Sequence, residues 1–267
     1  MDGRDVKLLV AILVVVAVAG AAWYFRAEFL PAAPPTAALP EPASVETADA
    51  EGPRHPITPP EAAEPVRGEL ITLPPLDDSD AYFLLELAHV FGADIESLFV
   101  KDALIDKFVA TVDNLPRDHV AEKVRPVGRL VEPFRVVTDN SDGKSYLSPD
   151  NYGRYDLLIS RIAAADVESV VGIYRRFYPL FQESYTRLGY PNGYFNDRVV
   201  EVIDHLLATP QPDEPVRLVR PHVLYEFADP ELEALSSGQK LMLRVGSRHA
   251  ATIERVLQDL RSQLVRQ

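Results

Sequence analysis

The pattern of apolar and polar positions divides the chain into three unequal parts. Residues 8 to 25, LLVAILVVVAVAGAAWYF, are an uncharged run of eighteen. At about 1.5 Å rise per residue they make about 27 Å of helix, close to the roughly 30 Å of a bilayer's hydrocarbon core. Trp23, Tyr24 and Phe25 close the run where an interfacial aromatic belt sits. Arg4, Lys7 and the terminal amine precede the run, and after it Arg26 is the only cation before Arg54. The pattern predicts a transmembrane anchor within residues 1–30, its N-terminus held in the cytoplasm by the positive-inside bias and the remaining chain sent across the membrane. A cleaved secretory signal has the same basic start and apolar core, and Ala17-Val18-Ala19 or Ala19-Gly20-Ala21 would serve as its cleavage site. Apolar character continues to Phe25, beyond those small residues, which favours the uncleaved anchor; either alternative exports the rest.

From Pro31 to Val66 the periodicity disappears. This stretch carries ten prolines and six acids against one arginine. Such a composition cannot bury enough apolar surface to offset the entropy of ordering, and proline removes helix and ladder hydrogen bonds. Residues 31–75 are therefore expected to be a disordered Pro-rich linker.

Residues 76–267 show mostly three- and four-residue apolar spacing, which predicts a mainly α, multi-helix globular domain. In SDAYFLLELAHVFG, Ser79 is the expected cap, Phe83, Leu84, Leu87, Val90 and Phe91 form the apolar face, and Gly92 supplies a left-handed stop. Asp94 is expected to cap a short turn. A helix over Ala103 to Val112 is expected to end at Asp113-Asn114, residue types that tolerate left-handed backbone, ahead of Pro116. Residues 124 to 148 read as β-type: Leu130-Val131, Phe134 to Val137 and Tyr146-Leu147, with a turn at Asn140 to Gly143, predict a small hairpin.

Ser148-Pro149 starts the next helix, and Asp166 caps one in which Tyr174, Tyr178, Phe181, Tyr185 and Leu188 form a stripe. An aromatic stripe either binds sugars or peptides or fills a core with its hydroxyls at the rim; core is the commoner use. Pro179 inside this helix is expected to kink or split it. A helix from about Phe195 to Ala208 follows. Val216 to Val219 and Val223 to Phe227 are confined by prolines to irregular or edge positions. Asp229-Pro230 restarts helix, Ser237 is the expected cap of a short one, and Ser247 that of the last, with Ile253, Val256, Leu257, Leu260 and Leu264 along one side.

LPPLDDSD at 73 to 80, VDNLPR at 112 to 117, LGYPNGYFNDRVVEVIDHLLATP at 188 to 210 and YEFADPELEALSSGQKLMLRVG at 225 to 246 resemble the family of domain of unknown function 3014. The resemblance covers about 190 residues with its motifs in order. It implies a single-span envelope protein with a Pro-rich linker. The family brings no activity, so it transfers no catalytic residues.

Composition and charge narrow the chemistry. With no cysteine a thiolate zinc site is excluded, and the six histidines form neither HExxH nor an i, i+4 pair. No GxSxG elbow, P-loop or GxGxxG is present. No cofactor and no metal are expected. The net charge of −13 disfavours nucleic acid as a partner. Residues 216 to 267 hold 8 Lys/Arg against 6 Asp/Glu, and Lys240, Arg244, Arg248 and Arg255 make a modest basic surface. Asp77, Asp78 and Asp80 precede a helix start, where capping accounts for them.

The densest polar stretch is TVDNLPRDHV, Thr111 to Val120. A helix exit explains most of it, which points to a structural or docking role over an acid/base site. The candidate functional surface is placed on Asp113, Asn114, Arg117, Asp118, Tyr190, Asn196 and Arg244, with no catalytic residue among them. The expected function is non-catalytic binding of an envelope protein or of peptidoglycan by an exported domain on an inner-membrane tether. The alternative is an envelope hydrolase using separated carboxylates such as Asp113 and Asp118.

Overall fold

A computed structural model of the protein describes residues 52–57, 73–128 and 133–265. The apolar run at 8–25 lies outside them, and among the described residues no helix is long and apolar enough to cross a membrane. The architecture is mainly helical. Its helices are α1 (Asp80–Phe91), α2 (Leu104–Asn114), α3 (Asp156–Ala164), α4 (Val167–Arg187), α5 (Phe195–Leu207), α6 (Pro230–Glu233), α7 (Ser237–Arg244) and α8 (Ser247–Val265). Short 3₁₀ segments at Leu76–Asp78, Ala93–Leu98, Glu122–Val124 and Pro149–Tyr155 join them.

Helix α2 is the hub. Eight of its eleven residues are buried, because it is covered by α4 and α5 as well as by α1. Phe108 of α2 meets Phe83 of α1 edge-on at 5.5 Å, and Phe83 in turn meets Phe177 and Phe181 of α4 at 4.9 and 5.6 Å. Phe181 stacks on Tyr174 and on Phe195 of α5. The tyrosine stripe of α4 is thus core: Tyr174, Phe181 and Tyr185 are buried, while its last member, Leu188, is exposed. Each such ring contributes roughly 1.5–3 kcal/mol through burial, plus about 0.5–1.5 kcal/mol from ring pairing. Helix α8 buries Ile253, Val256, Leu257 and Leu260 and packs on α5 and α3.

The expected hairpin is half of a larger sheet. Strands β1 (Val136–Thr138), β2 (Ser145–Leu147), β3 (Arg217–Val219) and β4 (Glu226–Phe227) form a four-stranded antiparallel sheet in that order. The runs flanked by prolines, read as irregular or edge positions, are β3 and β4: β4 is an edge strand, whereas β3 is internal, its prolines sitting just outside the paired residues, where their missing N–H costs the ladder nothing. Leu147, Val216, Leu218 and Phe227 form a second small core with Leu243 of α7. The expected strand residues Leu130 and Val131 lie outside the described residues.

Capping follows the sequence in part. Ser148, Asp166 and Asp229 each accept a backbone N–H from the first turn that follows. Ser79 does not: it is right-handed and its hydroxyl donates to the Leu76 carbonyl. The short helix is capped by Ser236, one residue before the expected Ser237, through a capping box with Gln239. Ser247 is the first residue of α8. Pro179 does not split its helix; α4 runs through it for 21 residues. Asp113 and Asn114 are the last turn of α2 itself, and the capping residue Leu115 is right-handed at φ −56°. The exit is enforced by Pro116 and by α7, whose first amides close it: Ser237 N donates to Arg117 O at 2.8 Å and Gly238 N to Leu115 O at 3.0 Å.

Position 238 requires glycine for that approach. A Cβ there would lie 2.7 Å from Leu206 Cδ2 and 3.1 Å from the Leu115 carbonyl oxygen. Helix propensity alone predicts that Gly238→Ala stabilises by up to about 1 kcal/mol. The packing predicts a loss of about 1–3 kcal/mol, and urea denaturation of the purified protein distinguishes the two by sign.

Candidate functional site

The exit of α2 brings together residues that are far apart in sequence. Asp113 is only 2% exposed. Its Oδ2 accepts from Arg117 Nη2 at 2.7 Å and from the Tyr190 hydroxyl at 3.1 Å. Its Oδ1 accepts from Arg198 Nε at 3.0 Å, and Arg198 Nη2 donates to the Asp113 carbonyl at 2.8 Å. Arg117 Nη2 also lies 3.1 Å from the Tyr190 hydroxyl. Helix α2 thus supplies the carboxylate, α5 supplies Arg198 one turn from its start, and the α4–α5 loop supplies Tyr190.

Tyr190 is held by stacking on Tyr185, with centroids 4.6 Å apart and planes at 17°. Burial, with the Asp113 charge as the second cause, pushes the Tyr185 phenol up to about 12. Arg198 is also tied to Glu201 at 2.9 Å. Charges on the two guanidiniums answer the buried carboxylate, each through one N–H to a different oxygen, and Arg198 adds a bond to the Asp113 carbonyl. Such an arrangement fixes three elements to one another. It does not present a base, since both carboxylate oxygens are engaged by donors.

Two predicted residues beside Asp113 have other occupations. Asn114 donates from Nδ2 to Ala110 O within its own helix, and Asp118 is exposed and is not a member of the network. Asn196 is fully buried at a second cluster, accepting from the Tyr174 hydroxyl at 3.1 Å and donating to the carbonyl of His55 at 2.8 Å. Arg244 belongs to the sheet end, its guanidinium 5.6 Å from the Phe227 ring centroid and its pKa depressed by burial. The expected basic surface is not a single field: Arg244 is drawn inward and Lys240 is paired with Glu233.

Sequence reasoning misses Arg198, Tyr185 and Asp197 as site residues. Arg198 and Asp197 lie inside a stretch whose pattern reads only as helix, and no local spacing announces a partner 85 residues away. It also misses a Ser–His contact: His205 Nε2 lies 2.8 Å from Ser236 Oγ. That hydroxyl is committed as the cap of α7, accepting from Gln239 N, and burial lowers the His205 pKa. A cleft lined by Thr209, Pro210, Val216, Met242, Ser247 and Glu254, among others, has a volume of about 50 Å³, well below the few hundred Å³ typical of small-molecule sites. Neither Asp113, His205 nor Ser236 lines it. Among the described residues no group of three His, Asp or Glu could hold a metal ion.

The family profile described as protein of unknown function (DUF3014) matches residues 104–261, from the first residue of α2 to the last turns of α8. The chain belongs to the DUF3014 family. The matched region contains Asp113, Arg117, Tyr190 and Arg198, so the ion-pair cluster is internal to the family's domain. No curated protein and no solved structure matches the chain.

The raised tyrosines give the domain a defined alkaline response. Unfolded Tyr185 loses its proton near pH 10, whereas the folded phenol keeps it to about 12. Between these values the unfolded state holds fewer protons, so folding stability is full below pH 10 and falls as pH rises to 12. Tyr174, Tyr155 and Tyr178 are shifted in the same direction by burial. Urea midpoints are expected to be flat from about pH 8 to 10 and to fall above it, with a shallower fall in Tyr185→Phe; a rise above pH 10 would contradict the assignment.

Proposed function

We propose that the protein is a non-catalytic binding domain carried on a membrane tether, reaching an envelope protein or a peptidoglycan component across the membrane from its N-terminus. The run 8–25 is the anchor, oriented by Arg4 and Lys7 on its cytoplasmic side. The Pro-rich segment after it is the arm, and the helical domain is the hand. The observation that carries the binding reading over a hydrolytic one is the state of Asp113. It is the buried acid of the stretch richest in candidate chemistry, and it is engaged by two arginines and a phenol. A general base needs a lone pair aimed at a substrate; these lone pairs are aimed at the protein's own cations.

The outer rim of that cluster offers recognition groups. Arg117 is more than half exposed on its side chain, Tyr190 is partly exposed, and Asp118 stands beside them in solvent. An arginine held in place by a carboxylate and a tyrosine is pre-organised for an acidic or carbonyl-bearing partner, because less side-chain entropy is lost on binding.

A fluorescent reporter that matures only in the cytosol, fused after Gln267, is expected to stay dark in intact cells and to light up when residues 8–25 are deleted. A photo-crosslinker placed at Asp118 in the same cells is expected to capture one discrete partner, protein or glycan, with capture reduced several-fold by Tyr190→Ala. Fluorescence from the undeleted fusion would remove the envelope setting; capture unchanged by the tyrosine substitution would remove the proposed surface.

A further inference from the structure

The segment Gly52 to Ile57, GPRHPI, belongs by composition to the linker, yet it is seated on the domain. Arg54 N donates to Asp197 Oδ2 at 3.0 Å and His55 N to Asp197 Oδ1 at 2.7 Å, so one carboxylate takes two consecutive backbone amides, one on each oxygen. The carbonyl of His55 accepts from Asn196 Nδ2 at 2.8 Å, and Asn196 is held in turn by the Tyr174 hydroxyl on its Oδ1. Ile57 packs against the main hydrophobic core.

We propose that the Asn196–Asp197 pair at the start of α5 is a docking site for a proline-bracketed peptide bend, and that its occupant is this chain's own Pro53–Ile57. The chemistry of the segment fits the site closely. Pro53 and Pro56 have no N–H, so Arg54 and His55 carry the only two backbone donors between the brackets, and both are spent on the one carboxylate. Two successive amides converging in a bend form an anion-binding concavity, and hydrogen bonds to a charged acceptor are the stronger kind. The prolines limit the unbound segment's conformations, which lowers the entropy lost on docking. Recognition runs through the backbone and one apolar side chain, so the identity of residue 54 matters little as long as it has an N–H.

The acceptor side is rigid for reasons already described. Asn196 is buried against the aromatic column through Tyr174, and Asp197 is in the first turn of a helix. The ligand is joined to the domain by the fifteen residues 58–72, so its effective concentration at the site is on the order of millimolar. A contact too weak to survive between separate molecules is therefore enough in cis.

Docking sets the length of the arm. With the segment seated, the tether reaches the domain at residue 53 instead of at Leu73, and the twenty residues between no longer add to its span. This consequence rests on the tethered-domain reading, whereas the contact itself does not, and the two fail separately: the reporter fusion tests the first and amide exchange the second.

The test is hydrogen exchange of the full purified chain, followed by mass spectrometry of the peptide spanning 52–57, in the wild type, in Asp197→Ala and in His55→Pro. In the wild type the Arg54 amide is expected to exchange at least tenfold more slowly than the intrinsic rate of that sequence. Both variants are expected to bring it within twofold of the intrinsic rate while α2 stays protected. His55→Pro alters only the ligand side, so it remains informative if Asp197→Ala fails to fold. An unprotected Arg54 in the wild type, protection that survives in His55→Pro, or protection that grows with protein concentration as docking between copies requires, each overturns the proposal.

Discussion

A carboxylate taken out of water must be answered by charge and hydrogen bonds, and the exit of α2 is built around that constraint at Asp113. The idealised cost of burying such an ion is far larger than the stability of any domain, and even after relaxation it is several kcal/mol. Arg117 from the same helix, Arg198 from α5 and the Tyr190 hydroxyl from the loop before α5 supply the compensation. Removing Arg198 leaves Oδ1 without its donor, whereas Oδ2 keeps one donor if either Arg117 or Tyr190 is lost. The positions of the last turn of α2, the α4–α5 loop and the start of α5 are therefore set together.

That polar knot is placed by the aromatic column beside it. Phe83, Phe108, Phe177, Phe181 and Phe195 are buried in mutual contact, and the buried Tyr174 and Tyr185 continue the column to the half-buried Tyr178 and Tyr190. Tyr185 joins the two regimes, meeting Phe195 at a tilt of 53° inside and stacking on Tyr190 outside. At the other side of the same column Tyr174 orients Asn196. The apolar packing thus holds both polar clusters on α5 in register, one closing on itself and one closing on the backbone of Arg54 and His55.

Periodicity makes the helices legible, because a buried stripe at three- and four-residue spacing matches the 3.6-residue turn and clashes with the two-residue alternation of a strand. Helices α2, α4, α5 and α8 are all visible in this way. Local chemistry makes some ends legible, as at Ser148, Asp166 and Asp229. It fails where tertiary contacts supply the cap: Asp80 Oδ1 accepts from Leu104 N at 2.7 Å from another helix, and α7 closes α2 through backbone donors that carry no sequence signal. The β3 and β4 strands are obscured by their prolines, since two- and three-residue strands leave no alternation to read. Of the candidate residues, Asp113, Arg117 and Tyr190 do meet, whereas Asn196 and Arg244 stand at two other places. Composition averages over the whole of 31–75, and two backbone donors bracketed by Pro53 and Pro56 are too few to register in that average.

The four stretches that carry the family resemblance are accounted for by the same geometry without any appeal to activity. VDNLPR provides the carboxylate and one arginine, LGYPNGYFNDRV provides Tyr190 and Arg198, and Ser237 and Gly238 of LSSGQK close the helix end. LPPLDDSD reaches across to cap α2 through Asp80. Asp113 and Arg198 are, on this geometry, a coupled structural pair. A double-mutant cycle with Asp113→Ala, Arg198→Ala and the combined variant, read by urea denaturation at pH 7, measures that coupling directly. A coupling of roughly 1–3 kcal/mol is expected, with the double variant less destabilised than the sum of the singles; additive losses within about 0.3 kcal/mol would contradict it.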